Sequence, residues 1–411
     1  MSSGRVSGVT AEVANAFAAR YNPALIAAQS LPLFGFSVAA AGAHYSPLSG
    51  VLVDSPRYRT QDAIPRTQDF QLPDMAVTTW AVGGTYPFFL PHFLGDRSAG
   101  FGFTFSGPMG QLHQISATTP YDFNSLHYGV SDSQLKATIS ASVELIPQHL
   151  FLGGGVNFYL ASSGAADAQL ATDNPTGRMQ VDVGLNTAAV AGLFAQAGDN
   201  AFSLVYHQEI VPPFEQVMNA KVQFGGRGAF QLPFAARTVF YYEPHLFEAD
   251  FQHDFGLVTA SFGASYQLWS HFRPAFLAIV TEDSNGKVIS TSVPQLSMSN
   301  TWNPRASLQL PLWQKHVLLA AGYEYRPSPV QEISGATNLL DTNTHVAGLS
   351  LQYQLHPGEL FSTAVRVGVF GQYHWLTSRT ITKSSAEFIG SPSYTVSGHA
   401  QLYGASIEAE L

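Results

Sequence analysis

The stretch "LKATISASVEL", residues 135–145, alternates without a break between apolar and polar side chains. Its apolar residues are Leu135, Ala137, Ile139, Ala141, Val143 and Leu145, and its polar residues are Lys136, Thr138, Ser140, Ser142 and Glu144. Successive side chains of a β-strand point to opposite faces, so the pattern predicts a strand with one apolar and one polar face. The fold depends on which of the two faces points towards the interior.

The composition favours a membrane environment for the apolar face. Charged residues make up 11% of the 411 residues, against about 25% in a typical soluble domain, while aromatic residues reach 12%. The least polar stretch, "LPLFGFSVAAAGA" (31–43), is shorter than the ~20 residues of a spanning helix and contains Pro and Gly. Hydrophobicity that is spread in alternation is typical of a transmembrane β-barrel.

Charge and motifs exclude several classes of function. The net charge of −9 provides no basic surface for nucleic acid, and the lack of Cys fits the bacterial envelope. The sequence has no Gly-x-Ser-x-Gly, no His-Glu-x-x-His and no phosphate-binding Gly loop. We therefore expect no enzymatic activity, no cofactor and no catalytic residue.

Short and long connections alternate along the chain, as they do in outer-membrane barrels. The short turns are at 91–98, 146–150, 196–200, 243–245, 311–316 and 355–360. The long connections are at 45–74, 111–134, 161–177, 209–234, 269–300, 327–342 and 379–393. Together they predict an all-β fold, an antiparallel transmembrane barrel of about fourteen strands with both chain ends on the short-turn side.

The strand register is ambiguous near Gly256, where the apolar positions change from odd to even numbers. A β-bulge within one long strand would explain the change and preserve the even strand count. A tight hairpin would also explain it, but would break that count. We adopt the bulge.

The first thirty residues do not alternate and are rich in Ala. A short helical segment before a barrel forms either a periplasmic tail or a plug within the lumen. Small side chains suit a compact plug, and an empty barrel of this size would leave an open channel. We therefore divide the chain into an N-terminal plug, residues 1–30, and a barrel, residues 31–411.

Several motifs resemble the FadL family of outer-membrane transporters for fatty acids and hydrocarbons. The similar stretches are "AFAARYNPALIAA" (16–28), "GFTFSGPMG" (102–110), "VLLAAGYEYRPSPV" (317–330) and "LLDTNTHVAGLSLQYQL" (339–355), in the same order and spacing as in the family. The resemblance implies a fourteen-stranded barrel, an N-terminal plug and a kinked third strand that opens sideways into the membrane. It also implies that Asn22, Pro23 and Ala24 form a plug element beside the ligand path, although a proline near a helix start explains the same residues.

The third strand contains the candidate lateral gate, Ser106, Gly107, Pro108 and Gly110. Pro108 has no N–H and the glycines weaken strand pairing, so the ladder should be interrupted there. A gap in a barrel wall would let a hydrophobic ligand leave directly into lipid. The alternative is a bulge where the strand meets its outer loop.

Two further groups of residues are candidates for ligand handling. Apolar residues in the long connection after residue 208 would form an outer capture groove, or would pack within their own loop: Ile210, Val211, Phe214, Val217 and Met218. Charged residues on polar strand faces should form lumen ion pairs that hold the plug: Lys136, Glu144, Arg305, Glu324 and Arg366. A fatty-acid carboxylate would require one Arg or Lys outside such pairs.

Five of the predicted short turns carry a histidine: His92, His149, His245, His316 and His356. Metal binding would require these side chains to converge, but the turns lie around a wide rim. We therefore predict that they anchor the barrel at the membrane interface, and we expect no metal site.

The sequence thus predicts a bacterial outer-membrane channel for passive uptake of hydrophobic small molecules, either long-chain fatty acids or aromatic hydrocarbons. We expect a monomer in contact with outer-membrane lipids and lipopolysaccharide, from which a signal peptide has been removed. Two alternatives remain: a non-transporting adaptor barrel with an envelope protein partner, and a barrel lipid hydrolase.

Overall fold

The computed structural model of the chain describes residues 9–11, 15–54, 66–91, 97–109, 119–128, 134–170, 176–223, 229–239, 241–282, 288–290, 294 and 296–411. A 3-10 turn at Val9–Ala11 comes first, and two short helices follow it, α1 (Ala18–Tyr21) and α2 (Leu25–Ala28). No helix among the described residues has the length and apolar character needed to cross a bilayer.

Strands make up most of the described chain. In chain order they are β1 (Leu33–Tyr45), β2 (Leu48–Asp54), β3 (Arg66–Phe70), β4 (Met75–Leu90), β5 (Arg97–Pro108), β6 (Phe123–Ser125), β7 (Lys136–Ile146), β8 (Leu150–Leu170), β9 (Thr176–Ala197), β10 (Asn200–His207), β11 (Pro213–Gln223), β12 (Ala229–Val239), β13 (Leu246–Asp254), β14 (Thr259–Gln267), β15 (Ala278–Glu282), β16 (Val288–Ser290), β17 (Thr301–Leu312), β18 (Val317–Arg326), β19 (Asn338–Leu340), β20 (Thr344–Leu355), β21 (Val365–Thr382) and β22 (Ser393–Glu410).

Fourteen of these strands form one closed antiparallel barrel, which confirms the predicted fold and strand number. The order around the wall is β1, β4, β5, β7, β8, β9, β10, β13, β14, β17, β18, β20, β21 and β22. β1 closes the barrel because it pairs with β4 on one side and with β22 on the other. Each of the fourteen wall strands is therefore paired with a neighbour on both sides.

The opening stretch shows which face of the wall is apolar. On β7, the side chain of Ile139 is 59% exposed on the outer surface, whereas its neighbours Thr138 and Ser140 are 1% and 2% exposed inside. The same division holds around the barrel, with Phe101 on β5 and Leu349 on β20 exposed outside. The apolar faces therefore form the lipid-facing surface, and the polar faces line the lumen.

The predicted bulge near Gly256 is wrong. Residues 255–258 form a tight hairpin between β13 and β14, in which Gly256 has φ +85° and its N–H donates to Asp254 Oδ1 at 2.7 Å. The strand count survives because a second prediction was also wrong. Residues 243–245 are not a short turn; they end the long connection between β10 and β13, so β12 lies outside the wall.

Secondary structure in the long connections extends and covers one end of the barrel. The β11–β12 hairpin adds to the projecting part of β8 in parallel, and β15 adds to β12. Apolar side chains from several connections pack into one buried cluster there, including Leu48, Phe276, Ile333 and Leu340. We call this cluster the loop cap; it covers the long-connection end of the lumen.

We expect Ile139→Lys to destabilise the protein in lipid by about 2–4 kcal/mol, because the substitution places a charge on the lipid-facing surface. The free energy of unfolding measured in lipid vesicles checks this value, with Ile139→Leu as the control. Equal stabilities for the two variants would contradict the assignment of this face to lipid.

Candidate functional site: the plug and the lumen cavities

The N-terminal helices lie inside the short-turn half of the barrel, against glycines on the inner wall. Gly153 of β8 and Gly192 of β9 are partners in the ladder. A Cβ on Gly153 would lie 2.4 Å from the Ala24 nitrogen, and one on Gly192 would lie 2.0 Å from Asn22 Oδ1. These glycines therefore create the space into which the Asn22-Pro23-Ala24 segment fits.

Asn22 is fully buried and ties the plug to the wall. Its Nδ2 donates to the carbonyl of Thr10 at 2.8 Å and to that of Leu193 at 3.4 Å, while its Oδ1 accepts from the Ala24 N–H at 3.1 Å. The side chain thus satisfies backbone groups on both the plug and β9. Removing it would leave several polar groups unpaired in a buried site.

One lumen ion cluster also contacts the plug. Arg305 of β17 donates to Glu248 Oε1 at 2.6 Å and to Asp250 Oδ2 at 2.7 Å. Thr10 Oγ1 donates to the same Asp250 carboxylate and lies 2.8 Å from Ser203 Oγ. This cluster therefore joins three wall strands to the N-terminal segment.

The other predicted lumen charges have local partners. Lys136 pairs with Glu243, Arg326 Nη2 donates to Glu324 at 2.7 Å, and Arg366 Nη1 contacts Glu408 at 3.5 Å. Glu144 accepts the backbone N–H groups of Ser98, at 2.9 Å, and of Gln148. These residues line the wall without contacting the plug in the interactions just described.

A cavity of about 470 Å³, which we call the main cavity, lies between the plug and the loop cap. Arg20 and Tyr21 of α1 form part of its wall, and the ion pairs of Arg305 and Arg326 line it too. Phe158, Ile210 and Leu246 contribute apolar surface. The lining of this cavity is therefore mixed, with charged and apolar side chains next to one another.

A second cavity, about 200 Å³, runs from the plug to the upper end of β5. It shares Arg20, Tyr21, Lys136 and Glu243 with the main cavity, so these residues lie at the junction of the two. At the opposite end it is lined by Ser106, Gly107 and Trp80. The second cavity, which we call the side cavity, therefore reaches the candidate gate.

The two ladders of β5 end at different residues near the candidate gate. Pairing of β5 with β7 ends at Ser106–Lys136, whereas pairing with β4 continues through Pro108, and the Met109 N–H donates to the Thr78 carbonyl at 2.7 Å. Leu135 lies beside this end of β5, with its Cδ1 2.9 Å from where a Gly107 Cβ would be. Gly110 lies outside the described residues.

A charged contact borders the junction of the two cavities. Lys136 pairs with Glu243, and its Nζ lies 4.9 Å above the ring of Tyr241. Burial opposes ionisation of Glu243, yet the positive charges of Lys136 and Arg20 lower the pKa of its carboxyl below the usual value. Glu243 therefore remains ionised at neutral pH and holds Lys136 at the end of the β5–β7 ladder.

The candidate capture residues differ in exposure. Ile210 is 6% exposed and packs with Tyr159 and Tyr241, and Val211 packs against the loop cap. Phe214 and Met218 are half-buried, while Val217 is 40% exposed. Loop self-packing thus accounts for the first two of these residues, and the exposed apolar surface begins at Val217.

Sequence reasoning missed Arg20 as a site residue. Its guanidinium forms no side-chain hydrogen bond or ion pair within the described part of the chain, and it lines both cavities. A signal was present, because Arg20 is the one basic residue in the Ala-rich segment 10–29 that was predicted to enter the lumen.

We expect Gly192→Ala to loosen the plug, because the added methyl group would overlap the Asn22 side chain. An overpacked contact of this kind costs about 1–3 kcal/mol, so hydrogen exchange of residues 15–29 should accelerate about ten-fold. Gly184→Ala on the same strand is the control, since its Cβ would meet open space. Equal rates of hydrogen exchange in the two variants would contradict the close fit of Asn22 against Gly192.

Comparisons with known proteins show that this chain resembles others in its fold rather than in its sequence. No family model and no curated protein matches the sequence. A FadL homologue from Pseudomonas aeruginosa aligns over 99% of this chain and 97% of its own, with 13% identity and a TM-score of 0.61. The Pseudomonas putida toluene transporter TodX aligns over 100% and 95%, with 12% identity and a TM-score of 0.50. The chain therefore has the fold of the FadL homologue and of TodX, as the sequence resemblance implied.

Proposed function

We propose that the chain is an outer-membrane channel of the FadL family for passive uptake of hydrophobic small molecules. The observation that carries this proposal is the side cavity, which leads from the plug to the point where the β5–β7 ladder stops. A sealed structural barrel has no need of such a cavity. The shared fold with a FadL homologue and with a protein described as a toluene transporter supports the same function.

The route begins at the apolar surface of the long connections and enters the main cavity beneath the loop cap. It then passes the contact between Lys136 and Glu243, where Arg20 and Tyr21 of the plug lie beside both cavities. A small displacement of α1 would widen this junction. Exit follows the side cavity past Gly107 into lipid, driven by the concentration gradient of the ligand.

Arg20 favours a carboxylic acid over a neutral hydrocarbon as the ligand. Arg305, Arg326 and Lys136 in the main cavity are each paired with a carboxylate. Arg20 is half-buried and makes no such pair within the described residues. A fatty-acid carboxylate would accept two hydrogen bonds from its planar guanidinium, while the acyl chain contacts Phe158 and Leu246.

The surroundings of the barrel follow from the same assignment. The exposed aromatic and aliphatic belt faces outer-membrane lipid, and the long connections face lipopolysaccharide at the cell surface. Because the wall closes within one chain, a monomer suffices for transport.

We expect Arg20→Gln to reduce uptake of labelled long-chain fatty acid by about ten-fold or more, since charge-assisted hydrogen bonds contribute about 1.5–3 kcal/mol. Uptake of toluene by the same cells should remain unchanged. Arg237→Gln is the control, because Arg237 pairs with Glu215 in the β11–β12 hairpin outside the barrel wall. An equal loss of fatty-acid uptake and of toluene uptake would reject the proposal that Arg20 binds the carboxylate of the ligand.

We expect Gly107→Phe to reduce uptake of both ligands, because the ring would fill the side cavity beside Leu135. Gly184→Phe places the same ring in open space and serves as the control. Cells with wild type, cells with the variant and cells without the protein are compared for uptake. Equal uptake by cells with wild type, with the variant and without the protein would reject transport itself. If the variant takes up as much as the wild type, and both take up more than cells without the protein, lateral exit is rejected.

A further inference from the structure

Three side chains of metal-ligating type converge at the long-connection ends of neighbouring wall strands. Glu209 follows β10, His245 precedes β13, and His271 ends the short 3-10 turn after β14. One ligand atom from each residue lies within 4.8 Å of the other two. We propose that Glu209, His245 and His271 form a binding site for a divalent transition-metal ion such as Zn²⁺.

The convergence depends on the topology that sequence analysis missed. With 243–245 as a short turn, His245 would lie at the opposite end of the barrel from residues 269–271. In the structure, β13 lies between β10 and β14, so residues next to the same ends of these strands are brought together. Backbone bonds fix the arrangement: the Leu268 N–H donates to the His245 carbonyl at 3.0 Å.

Neighbouring hydroxyl groups orient two of the three ligands. Tyr206 Oη lies 3.0 Å from His245 Nδ1, which leaves Nε2 facing Glu209 Oε2 at 3.9 Å. The Tyr242 hydroxyl donates to the same Glu209 oxygen at 3.4 Å. Metal-binding histidines and carboxylates commonly have such outer hydrogen bonds, which fix the side chain and the tautomer.

The side chains need only a small movement to bind an ion. Tetrahedral Zn²⁺ with bonds of about 2.0–2.1 Å separates its ligand atoms by about 3.3 Å. His271 is exposed and can rotate towards His245, while the turn that carries it is held by buried Trp269. The Trp269 indole N–H donates to Gln267 Oε1 at 2.8 Å.

Binding through Nε2 requires a change of tautomer at His245. The Glu209 N–H points at His245 Nδ1 at 3.3 Å, so Nδ1 is the acceptor nitrogen in this arrangement. When Nε2 binds the ion, Nδ1 carries the proton, and this N–H donates a hydrogen bond to the Tyr206 oxygen. The hydrogen bond from the Glu209 N–H to His245 Nδ1 is then lost, and coordination of the ion offsets that loss.

The ligand set selects the class of metal. Two imidazoles and one carboxylate suit Zn²⁺, Cu²⁺ and Ni²⁺, whereas Ca²⁺ and Mg²⁺ prefer sets made of oxygen. Three protein ligands leave a fourth position for water. A bound ion would connect the bases of the two long connections, 208–245 and 268–300, and stiffen the outer surface next to Val217.

Calorimetric titration of the full chain in detergent, freed of metal by chelation, tests the site with ZnCl₂ and with CaCl₂. We expect one high-affinity Zn²⁺ per chain and no Ca²⁺ at the same site. His271→Ala should abolish this binding, and Tyr206→Phe should weaken it about ten-fold. His253→Ala, at the other end of β13, is the matched control and should bind Zn²⁺ as the wild type does.

Because His271 is exposed, its replacement should leave the fold intact, which circular dichroism checks. Unchanged Zn²⁺ affinity in His271→Ala or in Glu209→Gln would overturn the site, as would equal affinity for Ca²⁺. The titration needs no transported ligand, so its result is independent of the proposed uptake.

Discussion

Backbone hydrogen bonding within the bilayer is the constraint on which this structure depends. Lipid provides no partner for an N–H or C=O group, so a sheet can span a membrane only if it closes on itself. The pairing of β1 with both β4 and β22 achieves this closure. Closure then sets the two faces of every wall strand, with apolar residues such as Ile139 in lipid and polar residues such as Thr138 inside.

The closed wall creates a lumen whose contents are determined by side-chain size. Glycines at 153 and 192 let the plug approach the wall so closely that a methyl group would overlap it. Above the plug, the loop cap buries apolar side chains from several connections. The space left between them is the main cavity, so its position follows from where the small and large residues lie.

Charge pairing within the cavity distinguishes its residues. A buried charge is costly unless it has a partner, and Arg305, Arg326 and Lys136 each have one. Arg20 differs because it makes no such ion pair within the described part of the chain, although its positive charge helps to lower the pKa of the Glu243 carboxyl. At the end of β5 the pairing with β7 stops at Ser106, while the pairing with β4 continues to Pro108.

The sequence by itself determined the barrel and the lumen-facing residues, because strand alternation has a period of two residues and is visible locally. The predicted strand number agreed with the structure only because two errors in the connections cancelled. Only the tertiary structure decided that residues 255–258 form a hairpin, that Arg20 lies between two cavities, and that Glu209, His245 and His271 converge. The last two features join segments far apart in the chain. Their proximity depends on the register of a closed barrel, to which no local pattern in the sequence corresponds.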